Sequence, residues 1–250
     1  MTSNLLSIGK SGLLAAQVGL STTGHNITNA GVAGYNRQTV LQQTSQSNFA
    51  GYGFVGTGTE VSQIKRQYDS FMGTQVNAAQ SATSALDSYY TQISQIDNLL
   101  ADPTAGLSPA LQDFFKGVQD FSANPSSVAS RQALLSSAGS LASRFQGLSA
   151  RLTEIGDGVN SQITSNVTVI NTYAKQLAEL NKSISQLSVD ASNQPNDLLD
   201  QRDQLITELN KYVKATVQPA ANNTVTISIG AGQPLVVADR SFQLAATPSR

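Results

Sequence analysis

Leu6, Gly9, Leu13, Ala16, Leu20, Thr23 and Ile27 are spaced alternately by three and four residues. No other feature constrains the start of this chain as much. The spacing lays seven residues along one stripe of an α-helix. The stripe is narrow, and its small members admit the close backbone approach of a coiled-coil seam. Thr2 or Ser3 supplies an N-cap. Gly31, just past the last apolar position, suits the left-handed residue that ends a helix. A helix with such a face does not bury it alone. A partner is expected, later in the chain or on another subunit.

The same grammar recurs further on. Residues 36–68 read as a Gly-rich connection, with a polar run from Gln42 to Asn48 and a short alternating strand from Thr59 to Ile64. From about Tyr68 the pattern turns helical, with Leu86, Tyr89, Ile93, Ile96 and Leu100 in one stripe. Asp102, Pro103, Gly106 and Pro109 end it in a loop. A shorter helix carries Leu111, Phe114, Val118 and Phe121 on one face, and Asn124-Pro125 breaks it. The strongest periodicity follows, from Leu134 through Ala138, Leu141, Phe145, Leu148 and Leu152 to Ile155. Gly156 and Gly158 then allow either a kink or a turn. Ile163, Val167, Ile170, Ala174, Leu177, Leu180, Ile184 and Leu187 make another stripe, Ser192 to Asn196 a turn, and Asp197 to about Val213 a last helix. After Pro219, Val225, Ile227 and Ile229 alternate with polar residues; Leu235 to Val237 and Phe242 with Leu244 suggest two further strands.

The expected fold is therefore mainly α. Residues 1–35 form an amphipathic helix and 36–68 the connection. Residues 69–215 form a coiled-coil-like bundle of long helices, and 216–250 open a β domain. Three strands supply one apolar face and nothing to cover it, so the chain is expected to be part of a longer one.

Composition narrows the function classes. Of 250 residues only 12% are charged, with Ser, Thr, Asn and Gln supplying the polarity. The net charge of −1 speaks against nucleic-acid binding. The absence of Cys excludes disulfides, zinc-finger spacing and a thiol nucleophile. No stretch is apolar for long enough to span a bilayer, and the N-terminus lacks the pattern of a cleavable secretion signal.

The candidate chemical sites have plainer readings. Gly51-Tyr52-Gly53-Phe54-Val55-Gly56 matches a dinucleotide fingerprint literally, but a polar run precedes it and a strand follows. It reads as a Gly-rich loop or hairpin. His25 is the only histidine and no carboxylate precedes Glu60, so it reads as a polar helix residue, not a metal ligand. Asp197, Asp200, Arg202 and Asp203 sit at a helix start, where acidic groups favour the dipole. A paired-carboxylate acid–base site is the weaker reading. No catalytic residue, cofactor or metal is expected.

Asn26-Ile27-Thr28-Asn29-Ala30, followed by Gly34-Tyr35-Asn36-Arg37-Gln38, resembles the N-terminal signature of bacterial flagellar rod, hook and hook-associated proteins. Gly56-Thr57-Gly58-Thr59-Glu60-Val61 with Arg66-Gln67-Tyr68-Asp69 looks like the segment joining the terminal helix to the first helical domain. The runs from Leu107 to Phe115, Asn124 to Arg131 and Asp197 to Leu205 are similar to the hook-associated protein 1 family.

That resemblance implies a structural subunit, not an enzyme, forming a ring at the hook–filament junction and needed for filament attachment. The subunit would be secreted through the flagellar type III export apparatus without signal cleavage and would sit in the extracellular flagellum. Its implied partners are further copies of itself, the hook protein, hook-associated protein 3, and an export chaperone with the export apparatus. Neither nucleic acid nor membrane insertion is implied. The alternative is another axial subunit, of rod or hook. The implied contact residues are Leu6, Leu13, Leu20, Ile27, Asn26, Asn29, Gly34, Tyr35, Arg37 and Gln38. In the family the N-terminal helix pairs with a C-terminal one, and no helix resembling that partner precedes Arg250. Residues 1–35 are accordingly expected to order only in the polymer, where burial between subunits repays the backbone entropy.

Overall fold

The computed structural model describes residues 2–101, 106–188 and 194–247. The loop expected at Asp102 and Pro103 and the turn beginning at Ser192 lie outside them, as do the side chains of Thr2 and Ser3. The fold is mainly α. Helix α1 (Thr2–Asn29) leads into strands β1 (Gln38–Thr44), β2 (Asn48–Phe49), β3 (Phe54–Val55) and β4 (Thr59–Arg66). Helices α2 (Ser70–Leu100), α3 (Leu107–Ala123), α4 (Val128–Leu187) and α5 (Asn196–Leu209) follow. The last strands are β5 (Ala215–Pro219), β6 (Val225–Ile229), β7 (Gln233–Val237) and β8 (Arg240–Ser241). Contacts divide the chain into one unit of Met1–Ala82 with Val169–Leu244 and another of Thr83–Thr168 with Ala245–Arg250. Both internal boundaries fall inside helices, α2 and α4, where a reading by composition places none.

In the first unit, α1 carries two faces. Leu6, Leu13, Leu20 and Ile27 are 72–77% exposed. Ser11, Ala15, Val18, Thr22 and Asn29, displaced by two residues and so by about 200° round the helix, are buried or half-buried. This small, polar face sits on the antiparallel β1–β4 hairpin, where Ser11 Oγ accepts the Thr59 N–H at 3.2 Å. Gly58 lies against Ser11 with φ +115°, leaving no room for a side chain. Thr22, Thr23 and Thr28 return their hydroxyls to the carbonyls four residues back, which lets a helix so rich in Thr keep its polar groups satisfied. Residues expected to order only in a polymer are thus already helical in the single chain, because the inner face has a seat. The left-handed residue after α1 is Gly34 (φ +79°), not Gly31 as expected from proximity to Ile27. Gln42 to Thr44, read as part of a polar run, belong to β1 beyond a bulge at Leu41/Gln42.

The core of this unit lies elsewhere. Ile170, Ala174, Leu177 and Ala178 of α4 and Ile206 and Leu209 of α5 pack on Val225, Ile227, Leu235 and Val236. The four strands pair antiparallel in the order β5-β6-β7-β8. The apolar sheet face expected to lack a cover is covered by α4 and α5. A fourth strand, β5, begins just past Val213, the expected end of the last helix, which stops at Leu209.

Three asparagines tie helices to extended chain by one device, a side-chain amide pairing with both backbone groups of a single residue. Asn26 does this with Gln38 at 2.8 Å each way. Asn171 does it with Leu244 at 3.0 and 2.8 Å. Asn181, fully buried, does it with Val225 at 2.8 and 3.2 Å and adds the Ala238 carbonyl at 2.8 Å.

In the second unit α4 runs unbroken past Gly156 and Gly158, so the two stripes read separately belong to one helix of 60 residues. Among the described residues here only Gly106, Gly117 and Leu148 are buried. Gly117 lets α3 approach Ser137 and Leu134 of α4. α2 buries no residue, and Leu86, Tyr89 and Ile93 of its expected packing stripe are exposed.

Candidate subunit-interaction site

The residues singled out in the sequence separate into two groups. Leu6, Leu13, Leu20 and Ile27 form the outward stripe of α1 described above. Asn26, Tyr35 and Gln38 form one network on the other side of the same helix. The Asn26 Oδ1 that accepts the Gln38 N–H also accepts the Tyr35 hydroxyl at 2.7 Å. Burial, then the nearby Asp197 and Asp200, push the Tyr35 phenol above its ordinary value of 10. Asn29 caps nothing beyond its own turn, donating to the His25 carbonyl at 3.0 Å and to its ring. Arg37 is exposed, and its side chain has no partner among the described residues.

This network is seated on α5. Gln38 Nε2 donates to Asp197 Oδ1 at 2.8 Å, and the Asn196 amide donates to the Ile64 carbonyl at 2.8 Å. His25 Nε2 lies 3.3 Å from Asp197 Oδ1, and its ring meets Tyr35 edge-on at 5.6 Å. Asn36 gives both its backbone N–H and its side-chain amide to Asp200, at 2.9 and 2.8 Å. Gly34 runs so close to Gln204 that a β-carbon there would stand 2.8 Å from the Gln204 Cβ.

The centre of the seat is Arg66, whose role sequence reasoning missed. Its guanidinium forks to Asp200 at 2.8 Å and Asp203 at 2.7 Å, with only 11% of its side chain exposed. Arg202 also reaches Asp203 (3.1 Å) and donates to the Asn223 carbonyl at 2.6 Å. The Arg66 guanidinium stacks on Tyr68, 4.3 Å from the ring centroid. Burial, then Asp203, raise the Tyr68 phenol, and Arg66 opposes them. Asp197 does stand in the first turn of α5, as a dipole partner would. Asp200 and Asp203 correct that reading: they receive bonds from residues 134 to 164 positions away. The signal lay in Arg66 and the acids together, opposite charges that helical periodicity alone does not connect.

A groove of about 440 Å³ beside this seat is lined by His25, Asn29, Tyr35, Leu180, Asp197 and Leu205, among others. His25 bonds to Asn29 and Asp197, and Tyr35 meets the His25 ring and donates to Asn26, an arrangement that holds elements in place. His25 has a carboxylate neighbour that the sequence did not reveal, yet no cluster of three metal-binding groups occurs among the described residues. The Gly51–Gly56 fingerprint is the β2–β3 hairpin, its Phe49 and Phe54 rings 5.5 Å apart. No helix among the described residues is long and apolar enough to cross a membrane.

Residues 93–250 match the family model of the flagellar hook-associated protein FlgK helical domain. The chain belongs to this FlgK family. It is 43% identical over 99% of its length to flagellar hook-associated protein 1 of Salmonella typhimurium and 42% identical to that of Escherichia coli. It spans about half the length of these relatives, 45% in both cases. Hook-associated protein 1 of Bacillus subtilis is 29% identical over 92% of the chain. The FlgK hook junction protein of Burkholderia pseudomallei superposes with a TM-score of 0.62 at 37% identity, covering 68% of this chain and 30% of that one. The family is one of flagellar structural proteins.

Proposed function

We propose that this chain is the N-terminal part of a hook-associated protein 1, a non-enzymatic subunit of the ring that joins hook to filament. The observation that carries this reading is 43% identity over 99% of the chain to a protein of that name. The α1 geometry supports it: a helix held on its small face offers four large apolar side chains outward at intervals of seven. In water such a stripe is costly, and covering it in an assembly is favourable by about 25 cal/mol per Å² of apolar surface. The outward residues Leu6, Leu13, Leu20 and Ile27, with the exposed Arg37, contact neighbouring subunits. Asn26, Gly34, Tyr35 and Gln38 hold the helix in the orientation that makes this contact, and Asn29 braces the His25 ring that reaches Asp197.

On this reading the subunit leaves through the flagellar export apparatus, accompanied by its chaperone, and lies outside the cell between hook protein and hook-associated protein 3. A second axial role, in rod or hook, is distinguished by one experiment. A strain whose only copy lacks residues 1–35 is expected to keep its hooks, release flagellin into the medium and stop swimming. Loss of the hooks would move the protein lower in the axis, and normal swimming would remove it from the flagellum.

A further inference from the structure

Residues 2–67 meet α5 through polar groups. His25, Asn36, Gln38, Arg66 and the Ile64 carbonyl bond to Asn196, Asp197, Asp200 and Asp203. The core cluster contains no residue before Ile170. The covalent link is single and short. Gln67 still belongs to the hairpin, its N–H donating to the Arg37 carbonyl at 2.8 Å and its amide to Thr39. Asp69 already caps α2, accepting the N–H groups of Phe71 and Met72. Tyr68 alone stands between, its ring against the Arg66 guanidinium.

We infer that α1 and the β1–β4 hairpin form one detachable module, hinged at Tyr68 and latched to α5 by Arg66, which acts as a positioning residue for the exposed α1 stripe. Undocking replaces protein hydrogen bonds by bonds to water and removes no member of the core cluster. It therefore lies below global unfolding in free energy. The latch depends on its charge balance. With Arg66 present, the buried Asp200 and the half-buried Asp203 share its guanidinium; without it Asp203 keeps Arg202, but Asp200 keeps only the neutral Asn36 donors and no cation among the described residues. Such a joint lets the α1 stripe change direction while the helix and hairpin stay intact. The inference concerns this unit's own packing and holds whether or not the chain serves at the hook–filament junction.

The test is residue-resolved amide exchange on the 250-residue chain. The Asn36 N–H crosses the seam to Asp200; the Thr39 N–H faces Lys65 in the β1–β4 pairing, inside the module; the Ile227 N–H lies in the core sheet. In Arg66→Gln, Asn36 is expected to exchange at least about tenfold faster while Thr39 and Ile227 keep their protection. Arg66→Lys, which reaches one acid at a time, is expected to fall between. In the unchanged chain, added salt is expected to speed Asn36 selectively. Unchanged Asn36 protection in Arg66→Gln, or in added salt should that variant not fold, would overturn the inference. So would loss of protection at Thr39 or Ile227 along with Asn36, because that is unfolding and not undocking.

Discussion

At the scale of the residue, three asparagines each hold both main-chain groups of one distant residue. Asn181 is fully buried and meets three main-chain groups, the Val225 N–H and carbonyl and the Ala238 carbonyl. Asn181→Ala strands those groups away from water and is expected to cost about 3 kcal/mol of stability, read from a urea titration. Almost none of this was legible in the sequence. Asn181 stands among the apolar positions of α4, and polar residues at that spacing ordinarily face solvent. Arg66 and the acids of α5 escaped for a related reason. Ion pairing acts at a distance set by the fold, and these partners are separated by more than 130 positions. Tyr35, Asn36 and Gln38 were legible as important through family resemblance, but their mutual bonds were not.

At the scale of the element, periodicity read the helices well and their surroundings less well. It placed the α1 stripe, and the structure shows that stripe exposed with a small-residue face buried behind it. The seam of a coiled coil and the outward face of a docked helix have the same spacing, so spacing could not tell them apart. The two readings differ in what substitution does. Leu13→Ser with Leu20→Ser is expected to change the stability of the isolated chain by less than about 0.5 kcal/mol per site, while filament attachment in cells fails. Thermal melts and a motility assay check the two halves of that statement. The continuity of α4 through Gly156 and Gly158 belongs here as well. Each glycine lowers helix propensity by about 1 kcal/mol, a cost that a helix of 60 residues absorbs.

At the scale of the whole molecule, the reading of a mainly α chain with strands near its end holds, and the accounting of what covers those strands does not. Linear reading assigns the end of α4 and α5 to a bundle of its own and so leaves the sheet without a cover. Three-dimensional contacts join Ile170–Ala178 to Ile227 and Leu235, a relation between patterns that linear reading treats one at a time. Since that core contains nothing from residues 1–67, a chain starting at Tyr68 is expected to keep a cooperative melt within a few degrees of the parent. A non-cooperative melt in circular dichroism would show that the N-terminal module is required for the core to form. The asparagine pairings carry one more consequence, for how such a protein can drift over generations. Each reads main chain and not side chain, so Gln38, Leu244 and Val225 can be exchanged without breaking the bonds they share with Asn26, Asn171 and Asn181. For these bonds alone the constraint is lopsided: it dictates the residue on the helix and not the one it grips, whose side chain answers to other contacts, Gln38 to Asp197 and Val225 and Leu244 to the core.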